Sequence, residues 1–485
     1  MAAGREEFFE DMHGSPNHLY LPYSQIGLRT ERISEVDWQD VDITGRVSTN
    51  WSLRNPIIGA AMNCISEDAM GIAMAKVGGA AFIHHVNTPE EQKTLAANVY
   101  HNLAGIIEGP YSAREDETLE DVLTTLDERK KNFRTLPVIS GDGECVGLVD
   151  ETIFQLFDLK TPVKEAMYPF GEFAVDKEGM TPQEVYKRMQ NERLGRVVLL
   201  DERRRVAGLC LAKGVVRVIE SNPDEFSLDE DGRLIAFASV PTIPDEAVER
   251  ALKLQKYVKV IGIDTSHGEH KYSLETLKAL KENVSGVDVV AGNISTEQTA
   301  VAIARMEPDG MQVGQGPGEI CVSSDRLGFG TPQASAVYEV SKGARSINPN
   351  MPIIADGGIK EPADTMKAIA CGATAVKVGN LIAGTDETPV PIQRDKETGA
   401  PFRWYWGMGS ERAQRAFAAA RARYGDYRQF NRIFVEGFEK KVPLKGSVSE
   451  VIEEHVMGVK KSMGAQGFPG VAELLEDARF GRGHN

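Results

Sequence analysis

The sequence predicts a parallel α/β fold interrupted by an inserted domain, and three observations lead to this prediction. Short apolar runs rich in valine and isoleucine alternate with amphipathic stretches, first between Pro56 and about Leu103 and again from about Val240 onward. Such runs are typical of strands buried on both faces of a parallel sheet. Many of them end in a turn that contains glycine, aspartate or asparagine. Between the two α/β segments lies an internal repeat of a different kind.

Strands and helices alternate as a chain of β-α units requires. The predicted strands cover residues 56–62, 80–84, 258–263, 287–291, 310–313, 352–355 and 375–378. The predicted helices cover residues 67–77, 273–282, 296–305, 335–344 and 363–369. Because helical segments separate the strands, we expect consecutive strands to run parallel.

The insertion contains two copies of a helix–strand–turn–strand unit. Strands at 136–139 and 146–149 recur at 197–200 and 206–209, and helices at 118–129 and 182–192 precede the two copies. Gly147 and Gly208 occupy matching positions in the repeat. The predicted organisation is a first part of the α/β domain at residues 1–108, the insertion at 109–228, and the remainder of the α/β domain at 229–485.

Composition indicates a soluble globular protein of two domains. The chain has 485 residues, of which 41% are hydrophobic and 26% charged, and a net charge of −16 that would repel a nucleic-acid backbone. No apolar run is long enough to span a membrane, and the first residues lack a secretory signal. The five cysteines form no close pair, which favours free thiols in the cytoplasm.

The most informative segment is a glycine-rich loop that ends in Cys321. Gly314, Gly316 and Gly318 follow a predicted strand and let the backbone turn sharply and approach a ligand closely. A thiol at the carboxyl end of such a strand lies where these folds place catalytic groups, and nearby amides favour the reactive thiolate. An isolated cysteine after a glycine turn is more often a small buried side chain, so the interpretation depends on its neighbours.

The ends of other predicted strands carry groups that suit a nucleotide. They are the segments 263–268, 291–293, 355–359, 378–380 and 405–410, which hold carboxylates, hydroxyls and glycines. Carboxylates can accept hydrogen bonds from ribose hydroxyls, and exposed backbone amides can bind a phosphate. Glycine after a strand is ordinary turn chemistry when it occurs once. Five such segments in order predict a nucleotide site.

With these motifs the chain resembles the inosine-monophosphate dehydrogenase and guanosine-monophosphate reductase superfamily. The similarity runs from Pro56 to Gly467, and its most specific matches are the Cys321 loop, Asp356-Gly357-Gly358, residues 405–410, and Met62. The resemblance implies a TIM (β/α)8 barrel with an inserted tandem pair of cystathionine-β-synthase (CBS) modules. It also implies a purine-nucleotide substrate, a homotetramer or octamer, and an adenine- or guanine-nucleotide effector at the CBS pair; plain structural insertion is the alternative for that pair.

The resemblance further implies a role for each matching residue. Cys321 would attack C2 of the purine, and NAD would accept the hydride, leaving a thioimidate for water to hydrolyse. The other expected catalytic residues are Ser323, Arg423 and Tyr424. The expected substrate-binding residues are Met62, Asp356, Gly358, Gly379, Asn380, Tyr405, Met408, Gly409 and Glu436. The expected cofactor-binding residues are Asp264, Ser266, Asn293, Gly314 and Gly316. A monovalent cation would lie at Gly316, Gly318 and Cys321.

The shared covalent intermediate leaves two activities to distinguish. In the dehydrogenases a mobile flap, here about residues 405–440, brings an Arg-Tyr pair to activate water, and Arg423-Tyr424 stand in that region. This pair favours NAD-dependent oxidation of inosine monophosphate to xanthosine monophosphate. The alternative is that Arg423 is simply one of several arginines on an exposed helix. A reductase would use NADPH on guanosine monophosphate.

Several residues depart from the family pattern, mostly near the substrate phosphate. Glu319 and Asn380 replace serines there, Ser324 stands where bacterial members have arginine, and Asn63 follows Met62 in place of aspartate. We expect the carboxylate of Glu319 to repel a phosphate dianion. Three alternatives therefore stay open: a reductase, an enzyme for a modified purine nucleotide, and a catalytically silent CBS sensor. The family's C-terminal potassium-site segment has no counterpart after Phe480, so a potassium requirement also stays open.

Overall fold

The computed structural model describes residues 3–14, 20–30, 33–102, 105–128, 134–220, 223–321, 326–423, 435 and 437–482. The chain forms two compact units. The first unit comprises Met1–Tyr100 and Pro223–Asn485, and the second comprises His101–Asn222. None of the described helices is both long and apolar enough to cross a membrane.

The first unit is built on a closed barrel of eight parallel strands. In chain order they are β1 (Ile57–Gly59), β2 (Ala80–Ile83), β3 (Phe237–Val240), β4 (Val260–Ile263), β5 (Asp288–Ile294), β6 (Gly310–Val313), β7 (Ile353–Asp356) and β8 (Ala375–Val378). Strand β8 pairs with β1, and β2 pairs with β3, which closes the ring. The predicted TIM-type barrel is confirmed, because the strands are parallel and closed.

Helices connect the strands and surround the barrel. They span Asp68–Lys76, Pro89–Tyr100, Pro244–Leu254, Lys271–Asn283, Glu297–Ala304, Gln333–Ile347, Pro362–Cys371, Val448–Gln466 and Val471–Asp477. Several begin as their sequences dictate: Thr296 caps its helix with its side chain, and Pro244 and Pro362 occupy first turns, where the missing N–H is not needed. The five helices expected from the sequence in this unit are confirmed, with ends shifted by one to three residues.

One barrel strand was not recognised from the sequence. The sequence pattern predicts that the second α/β segment begins at about Val240, whereas β3 spans Phe237–Val240 and is buried throughout. It follows an acidic stretch and is only four residues long, so periodicity alone gives little signal.

Shorter elements complete the first unit. Ala3–His13 is a helix, Ile26–Leu28 pairs antiparallel with Phe480–Arg482, and Gly45–Arg46 pairs with Ser52–Leu53. A three-stranded antiparallel sheet contains Gln393–Arg394, Pro401–Trp406 and Glu439–Pro443. The helix Glu411–Arg423 lies between the last two of these strands in the chain.

The second unit contains two four-stranded sheets of similar construction. One sheet has strands Tyr168–Pro169, Cys145–Val149, Leu136–Ile139 and Ala113–Arg114; the other has Val175–Lys177, Arg196–Leu200, Val206–Leu211 and Ile106–Glu108. Helices span Leu119–Glu128, Glu151–Leu156, Val163–Ala166, Pro182–Glu192 and Ala212–Glu220. The repeat expected from the sequence is present, and Leu148 and Val198 belong to one apolar cluster that joins the sheets. The assignment as a CBS pair, and the boundaries at 109 and 228, stay predictions.

Large side chains fill the interior of the barrel. The rings of Phe82 on β2 and Phe237 on β3 lie 5.2 Å apart, and both belong to a buried cluster with residues of five other barrel strands. Gly262 on β4 makes room for them, because a Cβ atom there would lie 2.8 Å from the ring of Phe82. The barrel is therefore a packed core whose ligand site must lie at its mouth.

We expect Phe237→Ala to lower the free energy of unfolding by about 3–5 kcal/mol, because it removes a ring from a fully packed core. Urea unfolding followed by circular dichroism measures the change. Leu252→Ala is the control, since Leu252 is 47% exposed on an outer helix and its loss should cost within about 0.5 kcal/mol. Equal losses for the two variants would contradict this account of the core.

Candidate active site

A cavity of about 420 Å³ lies at the carboxyl ends of the barrel strands. Parallel closure brings the residues that follow each strand to the same mouth, so side chains far apart in sequence meet there. The predicted residues that line it are Met62, Asp264, Ser266, Asn293, Gly314, Gly316, Gly318, Cys321, Asp356, Gly358, Gly379, Asn380, Tyr405, Met408 and Gly409. The strand-end segments singled out from the sequence thus share one cavity.

Cys321 lies at the end of the loop that follows β6. Its amide donates to the carbonyl of Gly318 at 3.0 Å, which closes a tight turn. The turn packs closely on the next strand: a Cβ atom at Gly314, whose φ is +144°, would lie 2.2 Å from the carbonyl oxygen of Asp356. Only glycine can occupy that position.

The loop is also held from the other side. Cys321 forms an isolated antiparallel bridge with Gly437, and the amide of Phe438 donates to the carbonyl of Ile320 at 3.2 Å. The amide of Gly407 in turn donates to the carbonyl of Phe438 at 3.2 Å. The thiol-bearing loop, the turn after Trp406 and the start of the strand Glu439–Pro443 therefore form one hydrogen-bonded unit.

Cys321 differs from the other four cysteines in its environment. It is partly exposed to the cavity, whereas Cys64, Cys145, Cys210 and Cys371 are buried, and none of the five is in a disulfide. Burial raises the pKa of Cys64 and Cys210 to about 12 and that of Cys145 to about 11. Because the thiolate is the reactive form, only Cys321 is placed for nucleophilic chemistry.

Asp356 and Asp264 bring two carboxylates to the cavity. Asp356 ends β7, and its Oδ2 accepts from Asn293 Nδ2 at 2.9 Å and lies 3.0 Å from the Nζ of Lys377. Asp264 follows β4; burial raises its pKa, Lys377 acts against that shift, and the charge of Asp356 adds to it. Paired acceptors of this kind suit the hydroxyl groups of a sugar.

Another part of the cavity wall is bare backbone, with a lysine next to it. Gly358 and Gly379 line it together with Tyr405, and a Cβ atom at Gly379 would lie 2.7 Å from the Tyr405 hydroxyl oxygen. Lys445 donates to the carbonyl groups of Asn380 and Leu381 at 2.7 and 2.8 Å. Burial lowers the pKa of Lys445, with Lys440 adding to this and Glu319 opposing it.

Glu319, which we expect to repel a phosphate, has a cationic partner. Its Oε1 lies 2.6 Å from the Nζ of Lys440, in an ion pair about one-third exposed. Lys440 is the register partner of Tyr405 in the antiparallel sheet. The carboxylate of Glu319, which lines the cavity, is therefore compensated by a lysine, and Lys445 supplies a further cation next to Asn380.

Four expected site residues cannot be placed in this geometry. Ser323, Tyr424 and Glu436 lie outside the described residues, as does Ser324; for Arg423 only the backbone, at the end of a helix, is described. The described residues hold no cluster of three histidine, cysteine or carboxylate side chains that could bind a metal.

The structure adds residues that the sequence analysis did not select. His85 and Phe417 line the cavity, and their rings pack edge to face at 5.6 Å. Lys377 also lines it, from the interior of β8. A lysine inside an apolar strand was the available signal for Lys377, because such a residue is almost never buried without a partner. Lys440 became recognisable only through its pairing with Glu319.

The chain is similar to known proteins over nearly its whole length. The family model described as "IMP dehydrogenase / GMP reductase domain" matches residues 21–484. Inosine-5′-monophosphate dehydrogenase from Aquifex aeolicus is 32% identical over 459 residues, which are 94% of this chain and 91% of that protein. Among solved structures, GMP reductase from Trypanosoma brucei with guanosine 5′-monophosphate has a TM-score of 0.82 at 28% identity, covering 96% and 95% of the two chains. The same enzyme with guanosine 5′-triphosphate has a TM-score of 0.75 at 26% identity, covering 96% and 98%.

We expect native protein to react rapidly with 5,5′-dithiobis(2-nitrobenzoate) at about one thiol per chain, because the other four thiols are buried and held protonated. The release of thionitrobenzoate measures the reaction, and denatured protein should release five equivalents. Cys321→Ala should remove the fast phase, and Cys371→Ala should retain it. A fast phase that survives Cys321→Ala would contradict the assignment of Cys321 as the accessible thiol.

Proposed function

Because the chain belongs to the IMP dehydrogenase / GMP reductase family, we propose that it oxidises inosine 5′-monophosphate to xanthosine 5′-monophosphate with NAD. The observation that carries the proposal is the partly exposed Cys321 in a cavity that Asp264 and Asp356 also line, together with Glu319, whose carboxylate is paired with Lys440. Such a cavity suits a nucleotide whose base faces the thiol, whose ribose meets a carboxylate and whose phosphate meets the cations.

We assign each part of the substrate to the residues whose chemistry suits it. The ribose hydroxyls donate to Asp356, the phosphate accepts from the amides around Gly358 and Gly379 and from Tyr405, and Met62, Met408 and Gly409 contact the base. Burial raises the pKa of Tyr405 well above its usual value, so its hydroxyl stays protonated and can donate to the phosphate.

The chain's own residues suit a nicotinamide cofactor beside the substrate. Asn293 is 8% exposed, and its Oδ1 has no hydrogen-bond partner among the described residues. Asp264, Ser266 and Asn293 offer acceptors at this side, and Gly314 and Gly316 leave space for a flat ring. NAD, when bound, accepts the hydride from C2.

The thiol and water perform the remaining chemistry. The Cys321 thiolate adds to C2 of the purine, and after hydride loss a thioimidate between Cys321 and the base remains. Water then attacks C2 and gives up a proton. The bond between C2 and the sulfur of Cys321 breaks, which releases the thiol and xanthosine 5′-monophosphate. We assign activation of this water to Arg423 and Tyr424 on sequence grounds.

A second candidate is reduction of guanosine 5′-monophosphate with NADPH. It is favoured by the fold similarity to GMP reductase from Trypanosoma brucei, at 28% identity over nearly the whole chain. The sequence similarity to inosine-5′-monophosphate dehydrogenase, at 32% identity, favours oxidation. For the second unit we propose a purine-nucleotide effector, in line with the guanosine 5′-triphosphate bound to the same reductase.

Absorbance of the reduced nicotinamide distinguishes the two reactions. We expect it to rise with inosine 5′-monophosphate and NAD, and to stay constant with guanosine 5′-monophosphate and NADPH. Cys321→Ala should lower turnover by at least about 10³-fold while nucleotide binding persists, because only the covalent step is lost. A fall in the second mixture would assign the reductase instead, and turnover by Cys321→Ala would remove the covalent mechanism.

The ion pair between Glu319 and Lys440 gives a second prediction, which concerns KM for the nucleotide. Lys440→Met should raise KM for the nucleotide about tenfold or more, because it removes a cation and leaves the carboxylate of Glu319 uncompensated. The double variant Lys440→Met, Glu319→Gln should recover part of this loss, since the repelling charge is also gone. Steady-state kinetics on the single and double variants provide the test. Equal KM values for the two would show that Glu319 does not act on the phosphate.

A further inference from the structure

Lys377 is a buried charge in the barrel interior. Its side chain is 2% exposed and its strand β8, with the sequence Ala-Val-Lys-Val, is otherwise apolar. A buried lysine is costly unless it has a partner and performs a task. The residue lines the cavity, so its charge acts on the site itself.

The partners of Lys377 come from three other strands. Lys377 and Asp356 are register neighbours of β8 and β7, and Nζ lies 3.0 Å from Asp356 Oδ2. The Nζ also lies 5.0 Å from the centroid of the Phe82 ring on β2, which forms the apolar floor below it. Asp264, after β4, is the second carboxylate that acts on it.

Asp356 is held through one oxygen only. Its Oδ2 receives the hydrogen bond from Asn293 Nδ2 at 2.9 Å and the contact with Lys377 at 3.0 Å. Among the described residues the other oxygen has no donor, and the side chain is 19% exposed in the cavity. Two donors on one oxygen fix the carboxylate and leave the second oxygen for a ligand.

We propose that Lys377 is a positioning residue of the nucleotide site: it orients Asp356 toward the vicinal hydroxyls of the ribose and supplies the cation that compensates the charges of Asp356 and Asp264. This inference rests on the proposed function, because it takes Asp356 as the ribose-binding group. Lys377 does not itself touch the reacting atoms.

Electrostatics support this role. Burial opposes protonation of Lys377, yet Asp356 and Asp264 outweigh it and hold its pKa above the ordinary value. Two carboxylates in one cavity without a cation would compete for a proton. Asp264 and Asp356 are the titratable groups that act on Lys377, and Tyr405, facing Asp356 from the antiparallel sheet, stays neutral.

The first test is the affinity for two nucleotides that differ in one hydroxyl group. By isothermal titration calorimetry, Lys377→Met should weaken binding of inosine 5′-monophosphate about 10- to 100-fold, and binding of its 2′-deoxy analogue less than about threefold. Kinetics should place the loss in KM more than in kcat. Asn293→Ala removes the other hydrogen-bond donor to Asp356 without changing the net charge. It should likewise weaken binding of inosine 5′-monophosphate more than binding of its 2′-deoxy analogue. Lys278→Met, exposed on an outer helix, should bind both nucleotides as the wild type does.

The second test needs no ligand. In Lys377→Met, Asp264 loses the cation that lowers its pKa, so the rise that burial already causes in that pKa becomes larger. A group whose folded-state pKa is raised contributes stability that is lost as pH rises through that pKa, so the Tm deficit of the variant should narrow as the pH is lowered. Asn293→Ala should show no such narrowing, because it alters no charge.

The outcomes separate the inference from the function on which it rests. Equal weakening of both nucleotides, or a Tm deficit independent of pH, would overturn the role of Lys377. Failure of the wild type to bind either nucleotide would overturn the proposed function and the ribose assignment with it. In that case the pH dependence of Tm still decides whether Lys377 compensates the charge of the carboxylates beside it.

Discussion

Closure of eight parallel strands into one barrel is the constraint on which the site depends. Each strand must deliver its carboxyl end to the same mouth, so residues from 62 to 409 meet around one cavity. The interior below is filled by Phe82 and Phe237, and a ligand cannot pass through it. The chemistry of the protein is therefore confined to the segments that follow the strands.

Within that mouth, two of the carboxylates are paired with lysines. Asp356 has Lys377 below it, and Glu319 has Lys440 beside it. The two pairs differ in the free energy of desolvation, because the Asp356–Lys377 pair is withdrawn from solvent and the Glu319–Lys440 pair is partly exposed. The buried pair can orient one carboxylate for a sugar, whereas the exposed pair can separate to admit an anion. Burial thus assigns a rigid role to one pair and an adaptable role to the other.

Much of the fold and of the site followed from the sequence, because strand periodicity and strand-end glycines are local signals. Seven of the eight strands and the Cys321 loop were found in this way. Short strand β3 was missed, since four residues give little periodicity. Lys377 and Lys440 were missed for another reason: their importance depends on pairing across strands, and register between distant segments is not encoded in local pattern. The partner of Glu319 was missed for the same reason, because Lys440 lies on a strand far along the chain.

The hydrogen bonds around Cys321 link the nucleophile to a segment that follows the barrel in sequence. The loop after β6 would be a simple glycine turn if it were held only by Gly314 and Gly318. Instead Ile320 accepts from Phe438, and Phe438 accepts from Gly407. Glycine suits these contacts, since a Cβ atom at Gly407 would lie 3.0 Å from the carbonyl oxygen of Ile320 and the neighbouring backbone would have to move slightly. The thiol therefore keeps its place only while the segments around residues 407 and 437 are docked, so any rearrangement there would also move the nucleophile.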